Sequence, residues 1–298
     1  MKCANWNRTL RLLPLSSALL LAGCSWAILD PKGPIAADER SLIATAVLLM
    51  LIVVAPVLVL TIAFAWRYRA SNTRATFLPG AVQSRKVETL IWLVPCLIVI
   101  CLGTIAWASS HRLDPYRPIA SNVKPLRIDV VALDWKWLFI YPDLGVATVN
   151  QIALPVNVPV DFNITSASVM NSFFIPRLGG QIYAMAGMRT KLSLMADQQG
   201  TYEGMSANYS GAGFSDMKFT ALAVSQQGFD QWLARVRGSP QRLDAQDYAL
   251  LATASRKHPV EYFSSVVPDL FASILGGSPV GGHDGEAMPM PMNAAGRE

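Results

Sequence analysis

The chain has 298 residues, 52% of them hydrophobic and 15% charged, and a formal net charge of +5. The excess is local: Lys2, Arg8 and Arg11 open the chain, Arg67, Arg69, Arg74, Arg85 and Lys86 crowd one short stretch, and residues 109–298 carry 15 basic against 16 acidic side chains. Such a distribution excludes a nucleic-acid-binding protein, which needs a basic face, and the four cysteines (Cys3, Cys24, Cys96, Cys101) leave the large C-terminal region without a disulfide or a thiolate site.

Residues 1–23 join their bases to an apolar stretch from Leu12 to Leu21 and end in Leu21-Ala22-Gly23-Cys24. This is the pattern of a lipoprotein signal peptide, with cleavage before Cys24 and a lipid, palmitate included, attached there. Residues 24–41 then form a periplasmic N-terminal segment held at the outer leaflet. Leu42 to Trp66 runs without a charge and is long enough to cross a bilayer even with Pro56 inside it. The bases that follow place the next loop in the cytoplasm by the positive-inside rule. Thr89 to Ala108 is a second span, so residues 42–112 form a transmembrane hairpin (spans 42–66 and 89–108) with both ends in the periplasm. The localisation expected is a bacterial inner membrane, with the C-terminal domain in the periplasm and membrane lipids around the spans.

Glu88 opens the second span within Arg85-Lys-Val-Glu88-Thr-Leu-Ile-Trp92. A carboxylate there is favourable at a helix N-terminus beside two bases. It is also a rim acid able to exchange protons with water.

Residues 113–125 hold three prolines and read as a linker. Strands follow. Arg127 to Tyr141 reads as one strand, on which Trp135 and Trp137 face the same side. Pro155 to Thr165 alternates, with Val156, Val158, Val160, Phe162 and Ile164 on one face. Lys191 to Met195 and Met217 to Val224 alternate again. Short strands separated by Gly/Pro turns predict an antiparallel sandwich over residues 113–227. From 228 to 275 the texture is helical, with Phe229, Trp232, Leu233 and Val236 at helical spacing, then Ala245–Ser255 and Asp269–Leu275. Residues 276–298 are rich in Gly, Pro and Met and read as a disordered tail, in which Met288, Met290, Met292 and His283 offer at most weak copper donors.

Within the sandwich, Thr201 to Met217 and Ser168 to Pro176 are the stretches that carry a family pattern. From Gly204 onward the first resembles the copper loop of subunit II of the haem-copper oxidases, Gly-x-Cys-x-Glu-x-Cys-Gly-x-x-His-x-x-Met. The two Cys positions hold Ser206 and Ser210, the Glu position Asn208, the second His position Phe214 and the Met position Met217. The family's first His falls on Asn171, in Asn171-Ser172-Phe173. The spacing is kept while five of six ligands are changed. The chain therefore resembles the quinol-oxidising branch, the bo-type ubiquinol oxidases, over nearly its whole length. Val260-Glu-Tyr-Phe263 and Pro268-Asp-Leu-Phe271 resemble that branch's aromatic-rich C-terminal extension. No His lies between residues 112 and 257, so the sandwich has neither an imidazole nor a thiolate for copper.

The resemblance implies a cupredoxin-like sandwich after a two-helix hairpin, with a small helical extension. It implies a non-catalytic subunit of a proton-pumping ubiquinol oxidase in an aerobic respiratory chain. No cofactor or metal is expected in this chain: haems and copper belong to partner subunit I, which with further subunits is the expected partner, quinol acting at the level of the complex and cytochrome c playing no part. It also implies that Glu88 is the proton-uptake entrance toward subunit I, and that the Trp135/Trp137 pair has lost the electron-entrance role of the cytochrome c branch and packs instead. A rival reading, a lipid-anchored periplasmic binding or assembly protein acting outside an oxidase, leaves the two spans without a purpose.

Overall fold

The computed structural model describes residues 27–73, 75 and 84–277. The signal segment 1–23, Cys24, Arg74 and the tail from 278 lie outside the described residues.

Helix α1 (Pro34–Arg67) starts on Pro34 at its first turn and carries Pro56 inside; α2 (Arg85–Arg112) carries Pro95. Both are long and apolar enough to cross a membrane, and neither span is buried within the chain. Large apolar residues such as Ile62, Trp92 and Trp107 stand open, which in water would be costly and in lipid is the favoured state. Trp66 and Trp92 mark one end of the hairpin and Trp107 the other, the placement of an interfacial aromatic belt. Arg112 of α2 reaches Asp38 of α1 at 2.6 Å and ties the helices at the sandwich end.

The sandwich contains eleven described strands: β1 (Leu126–Leu133), β2 (Lys136–Tyr141), β3 (Val146–Val149), β4 (Gln151–Pro155), β5 (Val160–Ser166), β6 (Asn171–Phe174), β7 (Ile182–Ala184), β8 (Thr190–Leu194), β9 (Gly200–Ser206), β10 (Lys218–Val224) and β11 (Glu261–Phe263). One sheet runs β11-β3-β2-β1-β5-β8 and the other β4-β10-β9-β6-β7. Pairs are antiparallel except β1–β5 (Leu126 opposite Val160) and β10–β4. Trp137, Phe139, Phe162, Phe173 and Phe219 fill the space between the sheets.

Residues 225–277 add helices α3 (Gln226–Arg237), α4 (Ala245–Ala252) and α5 (Leu270–Gly276). Ser225 caps α3 by accepting the Gly228 N–H at 3.1 Å, and Asp244 caps α4. Phe229, Trp232 and Val236 of α3 enter the main core. Leu243, Leu251, Phe263 and Leu270 cover the outer face of the six-stranded sheet over Val131, Leu133, Leu138 and Ile140.

Two expectations are corrected here. Arg127–Tyr141 is a hairpin rather than one strand, because the chain turns at Asp134-Trp135 with Trp135 at φ 66°. Trp135 and Trp137 therefore do not share a face: Trp137 is fully buried in the core, and Trp135 packs half-buried on the 206–217 loop. Pro155–Thr165 likewise breaks at Asn157 (φ 59°): Val160, Phe162 and Ile164 keep the expected inward face, Val156 packs half-buried against the same core, and Val158 does not join it.

The strap before α1 is sewn onto the sandwich. Asp30 pairs with Lys32 (2.9 Å) and Arg177 (2.6 Å). Lys32 N–H donates to the Arg177 carbonyl, Asp197 N–H to that of Lys32, and Ala36 N–H to that of Leu178. Gly33 lies so close that a Cβ there would stand 2.2 Å from the Met195 carbonyl oxygen.

Candidate functional site

The copper-loop positions meet at one end of the sandwich because β6 and β9 pair with Phe173 opposite Ser206. Ser206 Oγ stands 3.2 Å from both Asn171 Oδ1 and the Asn208 carbonyl, and accepts the Ser172 N–H at 3.4 Å. Asn171 Nδ2 donates to the Val169 carbonyl and Asn208 Nδ2 to that of Met170. Ser210 Oγ lies 3.9 Å from Met217 Sδ, a weak contact, and Met217 is buried. Phe214 leaves the group and meets Tyr209 edge-on at 5.6 Å.

Trp135 closes the loop from the other side. Its Nε1–H donates to the Ser210 carbonyl at 3.1 Å, and its ring lies where a Cβ on Gly213 would come within 2.4 Å. Arg256 stacks over the same ring at 5.7 Å. The loop is thus held by hydroxyl, amide and aromatic contacts. Its donor set does not fit a copper pair: alcohols and amides are hard ligands, and the single soft atom is one buried thioether. Among the described residues no three His, Cys, Asp or Glu side chains converge.

Glu88 lies in the first turn of α2, where its own N–H donates to the Ser84 carbonyl at 3.0 Å. Its side chain is exposed, with Arg85 and Lys86 one turn before it. From Glu88 to Arg112 the helix rises roughly 36 Å at 1.5 Å per residue, which puts Glu88 at the end of the hairpin away from the sandwich. The structure thus keeps Glu88 apart from the loop of Ser206, and Cys24 lies outside the described residues.

Sequence reasoning missed a polar joint between the sandwich and its extension. Lys136 is buried, its Nζ donating to the Thr253 carbonyl (2.7 Å) and to Ser255 Oγ (2.5 Å). Burial pushes its pKa below the ordinary lysine range, against the pull of Asp134 and Glu261. Ser255 Oγ meets His258 Nδ1 at 3.1 Å, His258 Nε2 stands 3.3 Å from Glu261, and Asn150 Nδ2 donates to the His258 carbonyl. The Nε2–Glu261 contact has ion-pair distance without hydrogen-bond alignment, so Nε2 is left without a hydrogen bond. A lysine between two tryptophans, Trp135-Lys136-Trp137, was the one signal available.

Comparison with known proteins agrees with this geometry. Residues 143–224 match the family model described as cytochrome c oxidase subunit II, periplasmic domain, and residues 237–276 match the COX aromatic rich motif. The chain is 57% identical over 272 residues to the cytochrome bo(3) ubiquinol oxidase subunit 2 of Pseudomonas aeruginosa, covering 91% of this chain and 82% of that one. It is 57% identical over 270 residues to the ubiquinol oxidase subunit 2 of Acetobacter aceti (90% and 88%), and 37% identical over 251 residues to the quinol oxidase subunit 2 of Bacillus anthracis (83% and 86%). Among solved structures, the periplasmic domain of subunit II of a Bradyrhizobium japonicum cytochrome oxidase is similar over 38% of this chain and 94% of its own, at 22% identity and a TM-score of 0.36. With identity of this order sustained over nine-tenths of its length, the chain belongs to the ubiquinol oxidase subunit 2 family, a branch of the subunit II family of haem-copper oxidases.

Proposed function

We propose that this chain serves a proton-pumping quinol oxidase as a subunit without redox chemistry of its own, caps the periplasmic face of subunit I, and supplies a proton entrance at Glu88. The observation that carries the reading is the donor set around Ser206. Quinol reaches an oxidase from within the bilayer, so electrons need no relay through a periplasmic metal, and the loop is free to become a hydrogen-bonded structural element. Haems and copper then belong to the partner subunit. The chain divides accordingly into a signal (1–23), a periplasmic segment starting at a lipid-bearing Cys24 (24–41), a hairpin (42–112), a sandwich (113–227), an extension (228–275) and a tail (276–298).

Glu88 suits its role because a carboxylate at an exposed helix start exchanges protons quickly with water, while its contribution to the helix is only roughly 0.3–1 kcal/mol. The test is made on the purified complex. Glu88→Gln keeps size and hydrogen bonding without a titratable proton, and lowers ubiquinol-oxidase turnover several-fold at normal haem content; Glu88→Asp recovers much of it. Turnover equal to wild type in an assembled Glu88→Gln complex would reduce Glu88 to a helix-end charge. Reduced cytochrome c is not a substrate of the same preparation. Rapid oxidation of cytochrome c would overturn the quinol reading itself.

A further inference from the structure

A second built site lies where hairpin, linker and sandwich meet. It is a cleft of about 310 Å³ walled by the first turns of α1, the linker 113–120 and the edge of β8, a size at the lower end of small-molecule pockets (roughly 300–1,000 Å³). The linker wall is pinned, because Ser193 N–H of β8 donates to the Pro115 carbonyl at 3.3 Å. The α1 wall is pinned by Ala36 N–H on the Leu178 carbonyl, and the Glu39 carboxylate packs against the backbone of Gly180. A Cβ on Gly180 would stand 2.7 Å from Glu39 Oε1, so a side chain there would push the carboxylate aside.

Its depth is fixed by the spans. Glu39 precedes Leu42, where the apolar run of α1 starts, by three residues, and Arg112 follows Ala108, where that of α2 ends, by four, which is about 4.5 and 6 Å along the helix axis. The cleft therefore sits in the headgroup layer just outside the roughly 30 Å hydrocarbon.

Its chemistry is two-signed. The charged residues lining it are Glu39, Arg112, Asp114 and Arg117, which sum to zero. Arg112 is committed to Asp38, and Asp114 Oδ1 accepts the Tyr116 N–H at 2.9 Å. Neither Arg117 nor Glu39 makes an ion pair among the described residues, and a carboxylate accepts at both oxygens. Ile35, Leu113, Ile119 and Leu192 complete an apolar wall. With Arg112 taken up by Asp38, an unpaired cation (Arg117) and carboxylates (Glu39, Asp114) remain at headgroup depth, an arrangement that matches a zwitterion and disfavours a bare anion.

We propose that this cleft binds the headgroup of an ethanolamine phospholipid, with Arg117 holding the phosphodiester, Glu39 the primary ammonium, and the apolar wall the glycerol ester region. A primary ammonium donates hydrogen bonds to a carboxylate, which a quaternary choline cannot do. The lipid then cements the sandwich to the hairpin at the bilayer surface.

The test uses the purified complex, stripped of lipid and titrated with phosphatidylethanolamine, phosphatidylglycerol or inorganic phosphate while thermal stability and native mass are read. Phosphatidylethanolamine restores stability and adds one tightly held lipid; phosphatidylglycerol, whose hydroxyls reach Glu39 without a positive charge, binds about tenfold more weakly, and phosphate has no effect. Arg117→Ala and Glu39→Gln each lose the retained lipid, and Arg117→Lys keeps part of it. Equal binding of phosphatidylglycerol, or an equal effect of phosphate alone, would overturn the headgroup assignment, as would a full complement of lipid in both loss variants. If those variants do not assemble, the wild-type titration decides alone.

Discussion

Replacing Phe173 with alanine tests whether the aromatic core, rather than a metal, holds the sandwich together. Phe173 is fully buried on β6 beside the copper-loop position Asn171. Its ring stacks on Phe219 at 5.1 Å and 11°, and meets Phe162 at 5.3 Å, Trp137 at 5.4 Å and Phe139 at 6.4 Å. A buried Phe→Ala change costs about 3–5 kcal/mol through lost transfer energy and the cavity left behind. Four ring contacts, each worth roughly 0.5–1.5 kcal/mol beyond area burial and not additive, place this site toward the upper end. A domain of this size loses about 2–4 °C of Tm per kcal/mol, so Phe173→Ala lowers the Tm by roughly 6–20 °C. The assay is a thermal melt of a fragment spanning residues 113–277, followed by near-ultraviolet circular dichroism without added metal, with Phe173→Leu as the smaller perturbation. A shift under about 2 °C for the alanine variant, or a wild-type fragment that folds only with copper, would refute the reasoning.

Two further changes probe the packing and the charge of the same domain. A Cβ on Gly204 would stand 2.1 Å from Phe219 Cζ, so Gly204→Ala pushes that ring off Phe173 and costs about 1–3 kcal/mol by chemical denaturation, part of it regained with Phe219→Leu. Asp129 is buried on β1, its Oδ1 accepting from Asn163 Nδ2 at 2.7 Å. Burial raises its carboxyl pKa despite that hydrogen bond and the nearby Arg127 and Arg189. Because the folded pKa lies above the unfolded one, the native state binds the proton more tightly, and stability falls as pH rises from about 3.9 through the folded value. Asp129→Asn keeps the acceptor and removes that slope, so variant and wild type differ most near neutral pH; parallel stability–pH curves would contradict this.

How much could be read in advance depended on what each segment packs against. Phe162 and Ile164 showed their inward face because β5 alternates between buried and half-buried positions. β2 shows no alternation, since the extension covers one of its faces and the second sheet the other, and all six residues are buried. The turn at Trp135 carried no Gly, Pro or Asn to announce it. β11 lay hidden in a stretch read as aromatic extension, because its partner β3 is more than a hundred residues away in sequence. In the site, loop spacing alone marked Ser206 and Ser210. The bond from Ser206 to Asn171 followed from strand register, which no spacing encodes. Nothing in the sequence singled out Glu39; its approach to Gly180 of a distant loop makes it part of a cleft.

The sandwich is moored to the hairpin at two separate points, by the strap from Asp30 to Ala36 on the Arg177–Leu178 turn and by the linker at Pro115. A head on a single tether would swivel like a buoy. With two moorings, rotation about either line is blocked by the other, and the end bearing Ser206 keeps one bearing toward the membrane. A partner subunit then meets a face already oriented, and less rotational freedom remains to be surrendered when the complex assembles.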